Sequence, residues 1–159
     1  MDAKSLETNS TNYVLDELTL PATNPHSPRP MRFLVVDDDP SFGKIFQKIA
    51  KQSNISVIRC VSLSAPEILS GQRFDAAIVD YDLGMKENGC ELAKKLEQVL
   101  GNIPIFLISQ TDRRPETGLR WPHCIHGFLN KNVGHQALFD AIHSQYSCWR
   151  IKRGFSSRR

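Results

Sequence analysis

The stretch FLVVDDDP at residues 33–40 decides the fold. Four consecutive apolar residues, Phe33 to Val36, suit a strand covered on both faces, because a strand with one wet face alternates apolar and polar. Three aspartates close the run, and Pro40 stands where the first turn of a helix tolerates a missing N–H. Phe42, Ile45, Phe46, Ile49 and Ala50 then recur at spacings of three and four, the stripe of one helix face. A buried strand that passes at once into an amphipathic helix is the repeating unit of a parallel α/β sheet.

The same unit recurs downstream. Ile55 to Cys60 reads as a short β-branched strand, and Ser62 to Leu69 as a helix with Ser62 or Ser64 as its N-cap and Gly71 as its end. Phe74 to Val79 is a third strand, closing on Asp80. Leu92, Ala93, Leu96, Val99 and Leu100 form the apolar face of a helix that Gly101 terminates. Ile103 to Ile108 is a fourth strand ending at Ser109, and Cys124 to Leu129 a fifth. The last helix is predicted from about Val133 to Tyr146, with Asn132 as N-cap and Ala137, Leu138, Ala141 and Ile142 facing inward. Five such units imply a flavodoxin-like (βα)5 three-layer sandwich around a five-stranded parallel sheet of order 2-1-3-4-5.

This body spans residues 31–147. Residues 1–30, rich in Ser, Thr, Asn and Pro, read as a disordered arm in which Tyr13-Val14-Leu15 and Leu18 are the one candidate docking element. Residues 148–159 read as a basic tail: from Arg150 onward there are five basic residues and no acid, more than the whole net charge of +3. The tail is read mainly as solubilising, with weak contact to nucleic acid or another anionic surface as the sharper reading. The four cysteines form no CxxC pair, which fits reduced thiols in a cytoplasmic protein. His123, Cys124 and His126 lack the spacing and the fourth ligand of a zinc site. No apolar run reaches the length of a membrane span, and no signal-peptide core is present.

The acids carry the chemistry. Asp37 and Asp38 end the first strand of the body, and Asp80 ends the third. Open α/β sheets build their sites beyond the carboxyl ends of their strands, and strands one and three are neighbours in this order. Converging carboxylates repel one another, and a hard divalent cation such as Mg2+ relieves that repulsion while suiting phosphoryl chemistry. Ser109 ends strand four with a hydroxyl, and Lys131 follows strand five with a mobile ammonium.

These motifs, with FDAAIVDYDLG at 74–84, IPIFLIS at 103–109 and GFLNK at 127–131, make residues 31–147 resemble the receiver domain of two-component response regulators. The resemblance implies that Asp80 is the phosphoacceptor. Asp37, Asp38 and Asp80, with the backbone carbonyl of Asp82, would hold Mg2+. Ser109 and Lys131 would stabilise the phosphoryl group, and Phe128 would be the aromatic switch. It also implies a histidine kinase or a histidine phosphotransfer protein as donor, and an unknown downstream protein as target. A stand-alone regulator without enzyme activity or a DNA-binding output domain is expected. The chain departs from the family pattern in four places, the first being the loop after Asp80, YDLGMKENG at 81–89, which is one residue longer than the commonest version and lacks its proline. Asn132 replaces the proline after the lysine, which puts a cis peptide there in doubt. Gln110 stands where a small residue is usual. Residues 111–122, with Pro115, Gly118 and Pro122, predict a short or irregular helix. Two other readings compete: a phosphorylation-independent adaptor, and a haloacid-dehalogenase-like phosphatase built on Asp80 and Asp82. The phosphatase would need a second acid pair after the lysine, where none is found.

Overall fold

The computed structural model describes residues 13–14, 29–63, 65–84, 88–111 and 121–156. Strands β1 (Tyr13–Val14), β2 (Met31–Val36), β3 (Ile55–Cys60), β4 (Ala76–Asp80), β5 (Ile105–Ser109) and β6 (Ile125–Asn130) form one sheet of order β1-β3-β2-β4-β5-β6. The five strands of the body are parallel, in the order expected. The sixth was not: β1, from the arm, lies antiparallel to the end of β3, with Tyr13 opposite Cys60 and Val14 opposite Arg59. The rest of the arm up to residue 28 lies outside the described residues.

Alternate residues of the central strands feed two separate cores, which is why those strands are apolar throughout. Leu34, Val36, Ala77, Val79, Ile105 and Leu107 face one way, toward helix α2 (Gly89–Leu100) with its Leu92, Ala93 and Leu96. Phe33, Val35, Ala76, Ile78, Phe106 and Ile108 face the other way, toward helices α1 (Pro40–Lys51) and α3 (His135–Ser156). Phe46 of α1 is fully buried there and meets Phe139 of α3 edge-on at 5.5 Å. Cys60, Cys90 and Cys124 are free and buried, and burial pushes the Cys60 thiol up to about 12 and the Cys90 thiol up to about 11.

Helix ends follow local chemistry. Asp39 caps α1, its carboxylate accepting from the backbone N–H of Ser41 at 2.9 Å, while Pro40 occupies the first turn. Asn88 caps α2 by accepting from Glu91 N at 3.1 Å, and Gly101, at φ 78°, ends it.

Four expectations are corrected. The helix predicted over Ser62–Leu69 is a single 3-10 turn, Pro66–Leu69, whose cap position is Ala65 with no side-chain bond. Pro66 accounts for this, since it removes a donor from the middle of the predicted span. Ile45 is 41% exposed, on the flank of a stripe centred on Phe42, Phe46 and Ala50. Ala137 is exposed and Ala141 half-buried, so α3 faces inward through Leu138, Phe139, Ile142 and Tyr146. Finally, α3 does not stop at Tyr146: it passes the expected 147/148 boundary unbroken and runs to Ser156. Smaller shifts put β4, β5 and β6 one or two residues later than predicted. Residues 112–120, which hold most of the predicted irregular helix, lie outside the described residues.

Truncating Phe46 to Ala leaves a void between α1, α3 and the sheet. A loss of about 3–5 kcal/mol is expected, read as a lower urea midpoint with an unchanged m-value.

Candidate functional site

β2 and β4 are adjacent, with Val36 level with Val79, so the residues that follow both strands emerge side by side. Asp37, Asp38 and Asp80 each place a carboxylate oxygen within 4.8 Å of the others. Asp37 is 2% exposed, Asp80 5% and Ser109 0%, whereas Asp38 is exposed. The third aspartate of the run, Asp39, is the helix cap and takes no part in the cluster.

The backbone aims these carboxylates. Asp37 N donates to Cys60 O at 3.0 Å, and Asp37 Oδ1 accepts from Asp39 N at 2.9 Å. Asp80 Oδ1 accepts from Asp82 N at 3.1 Å, while Tyr81 N donates to Ile108 O at 2.9 Å. Gly89 opens α2 directly against this turn. A Cβ at residue 89 would lie 2.4 Å from Asp80 O and 2.8 Å from Tyr81 Cα. Glycine fits there because any side chain would force this backbone to shift, which is costly.

Lys131 joins the cluster from the far side. It follows β6 on a short 3-10 turn, Lys131–Val133, and its Nζ reaches Asp37 Oδ2 at 2.6 Å and Asp80 Oδ2 at 3.3 Å. The ring of Phe42, at the start of α1, lies with its centroid 4.7 Å from the same Nζ, a cation–π contact. Burial works against the ammonium, but the Asp37 bond and the charge of both carboxylates outweigh it, and the Lys131 pKa is raised. Burial raises the Asp37 pKa despite Lys131. Burial, followed by the nearby charge of Asp37, pushes Asp80 up to about 6.

The remaining expected residues arrive through specific bonds. Ser109 Oγ donates to Asp82 Oδ2 at 3.0 Å and accepts from Thr111 N at 3.1 Å. Phe128 is half-buried and stacked on Trp121, with centroids 5.4 Å apart and planes 11° apart. Asn132 does not cap the last helix, because Gly134, at φ 95°, separates the two. Its side chain instead spans to Gln110 O at 2.9 Å, tying the turn after β5 to the turn after β6. Asn130 Oδ1 caps the 3-10 turn by accepting from Asn132 N at 2.8 Å. The Lys131–Asn132 peptide is trans.

Sequence reasoning missed three participants. Phe42 had been read only as helix face, and no local pattern shows that a lysine 89 positions away lies over its ring. The Asp82 carboxylate figures in the sequence only as the acid of the phosphatase reading, and its bond to Ser109 shows in no local pattern. Gly89 carried a readable signal, a glycine as the first helical residue after an Asn cap, whose meaning is tertiary.

The donor set suits a hard divalent cation: three carboxylates, all oxygen, with Asp37 held high in pKa by burial and Asp80 by burial and the charge of Asp37. With that geometry in view, comparison with known proteins is decisive. Residues 33–143 match the response regulator receiver domain family. The chain belongs to that family. It is 27% identical over 118 residues to the transcriptional regulatory protein GlrR of Escherichia coli (strain K12), a match covering 73% of this chain and 26% of that protein. The chain thus spans about a quarter of the length of this curated relative. A CheY-like receiver domain protein from Methanospirillum hungatei shares the fold at TM-score 0.62 and 18% identity, with 77% of this chain and 98% of that one aligned. A response regulator from Burkholderia pseudomallei, solved with a phosphorylated aspartic acid, calcium ion and citrate, matches at TM-score 0.57 and 16% identity, covering 79% and 74%. This chain is therefore a receiver domain of the two-component response-regulator type, a class of signalling module.

Two outcomes are expected from this geometry. Gly89→Ala should displace the Asp80–Tyr81 backbone and cost about 1–3 kcal/mol, the range for overpacking, measured by thermal or urea unfolding. Asp80→Asn should stabilise the metal-free protein. The raised Asp80 pKa means that its contribution is fully present below its unfolded value and is lost as pH rises through about 6. The variant's advantage should be about 3 kcal/mol at pH 7, smaller at pH 5 and near zero by about pH 3.5. Millimolar Mg2+ should narrow the gap at pH 7 by stabilising the wild type.

Proposed function

We propose that the chain is a phosphorylation switch in two-component signalling, with Asp80 as the acceptor. One observation carries the reading: Asp80 is buried at a strand end beside a second buried carboxylate and one ammonium. Such a carboxylate is costly to keep charged and gains from a partner that brings a cation.

In this reading a phosphohistidine on a histidine kinase or a phosphotransfer protein meets the crevice. An oxygen of Asp80 forms the new O–P bond as the donor's N–P bond breaks, and the donor imidazole leaves and takes up a proton. Asp37, Asp38, Asp80 and the backbone carbonyl of Asp82 would hold Mg2+, which supplies charge neutralisation at the phosphoryl oxygens. Lys131 exchanges its Asp37 bond for a phosphoryl oxygen. Ser109 gives up Asp82 and donates to another. Movement of Ser109 toward the phosphoryl group vacates space that Phe128 can enter, leaving Trp121. Phe128 carries no hydroxyl, so its two positions differ by packing alone. Each 1.4 kcal/mol of differential stabilisation shifts the two states tenfold, so these few contacts suffice. The signal then leaves by protein contact or onward transfer.

The phosphate-independent adaptor reading draws on one feature. Lys131 already bridges Asp37 and Asp80, so the crevice is partly neutralised without a ligand. A single experiment separates the two. The protein is incubated with a small phosphodonor and Mg2+, and its intact mass is followed. The switch reading expects a gain of one phosphoryl group in the wild type, none in Asp80→Asn, and loss of the gain when Mg2+ is chelated. An unlabelled wild type would favour the adaptor. Repeated hydrolysis of a phosphate ester would favour the phosphatase.

A further inference from the structure

The end of the sheet opposite the acidic crevice has its own chemistry. β2 and β4 begin there, about 20 Å along β2 from Asp37 and about 13 Å along β4 from Asp80 at the usual rise per residue. Several segments bring cations to it. Arg29 precedes β2, Arg32 lies within it, Arg73 sits just before β4, and Arg150, Lys152 and Arg153 belong to the last turns of α3. Their proximity is visible in their contacts. Arg32 Nη1 donates to Arg73 O at 3.3 Å. Arg150 Nη1 reaches Met31 Sδ at 4.0 Å, and its guanidinium sits 6.0 Å from the Tyr146 ring centroid. Asp75 answers Arg29 at 3.0 Å and also accepts from Arg32 N at 2.8 Å. The crowding is felt electrostatically: burial and then the charge of Arg29 lower the Arg32 pKa.

An apolar feature lies inside this basic pole. Ile151 is 59% exposed, between Arg150 and Lys152 on a helix end where residues 150–154 are all exposed. Trp149, one residue earlier, is half-buried, with the Arg153 guanidinium 5.1 Å from its ring centroid. We infer that this pole, built from Arg29, Arg32, Arg73 and the Arg150–Arg153 turn of α3, docks on an anionic lipid surface, with Ile151 entering the interface. Charge complementarity selects an anionic partner. The exposed isoleucine among the cations selects a bilayer, because a phosphodiester backbone gains nothing from an aliphatic side chain and a lipid interface does. Docked this way, the domain turns its carboxylate crevice away from the bilayer, open to a soluble partner.

The test uses the full chain with vesicles of phosphatidylcholine alone or with about one third phosphatidylserine, read by co-sedimentation. Binding is expected to the anionic vesicles only, and to be lost as salt rises from about 0.1 to 0.5 M. Arg150→Gln combined with Lys152→Gln should weaken it on the order of thirtyfold, from the usual contribution of two basic residues near such a surface. Ile151→Gln, which leaves the charge unchanged, should weaken it severalfold. Lys44→Gln with Lys94→Gln removes the same charge away from this pole and should bind like the wild type, and thermal midpoints show that all variants are folded. The inference is overturned by any of three results: no binding to the anionic vesicles, equal loss in the Lys44/Lys94 variant, or Ile151→Gln binding like the wild type. Tighter binding to a short DNA duplex or RNA than to the vesicles would equally overturn it.

Discussion

Two buried carboxylates share one ammonium, and the rest of the structure is arranged around that sharing. Asp37 and Asp80 emerge from adjacent strands close enough to repel each other, in surroundings dry enough to make the repulsion costly. Lys131 offsets it from a third strand end. For the three groups to meet, β2 and β4 must be neighbours, β6 must lie two strands further out in parallel, and the turn after β6 must bend back over the crevice. Phe42 lies against the ammonium and Gly89 lets α2 start against the backbone of Asp80 and Tyr81. The compensation is partial: both carboxylates keep raised pKa values. That residual imbalance makes the crevice receptive to a further cation.

The fold provides rigidity where this imbalance must be held. The central strands are buried on both faces, and their alternate residues belong to two cores that do not mix. A displacement of β4 would disturb both cores at once. The crevice residues at and after the strand ends are held by a few hydrogen bonds to side chains and turns, among them Ser109 to Asp82 and Asn132 to Gln110. Contacts of that kind can exchange without unfolding the body, so mobile chemistry sits on a fixed frame.

The parallel body, its strand order, the convergence of Asp37, Asp38, Asp80 and Lys131 and the strand-end place of Ser109 were legible in the sequence, because apolar runs ending in polar residues define both the strands and the end on which these residues gather. What was not legible has physical causes. Pro66 left too little of the predicted second helix to propagate. Tyr13–Val14 is too short a strand to show a period, and its pairing with β3 depends on an edge that exists only in the folded sheet. The end of α3 was misplaced because its last turns leave the core: past Trp149 no inward stripe marks the helix, yet nothing before Gly154 breaks it. Phe42 and the Asp82 carboxylate were hidden because their partners are distant in the chain. The cationic pole was read as a tail property, when folding adds arginines from three other segments.

The stack of Trp121 on Phe128 has an optical consequence. The two tryptophans of the chain sit in unlike places, one against the ring proposed to move, the other beside Tyr146 at the far end of the sheet. An indole lying face to face with a neighbouring ring senses that ring's departure as a change in polarity and in quenching. Under the proposed switch, emission from Trp121 would track the position of Phe128, while Trp149, stacked near Tyr146, would supply the background. A switch built on this stack would carry its own fluorescent reporter, with no dye attached.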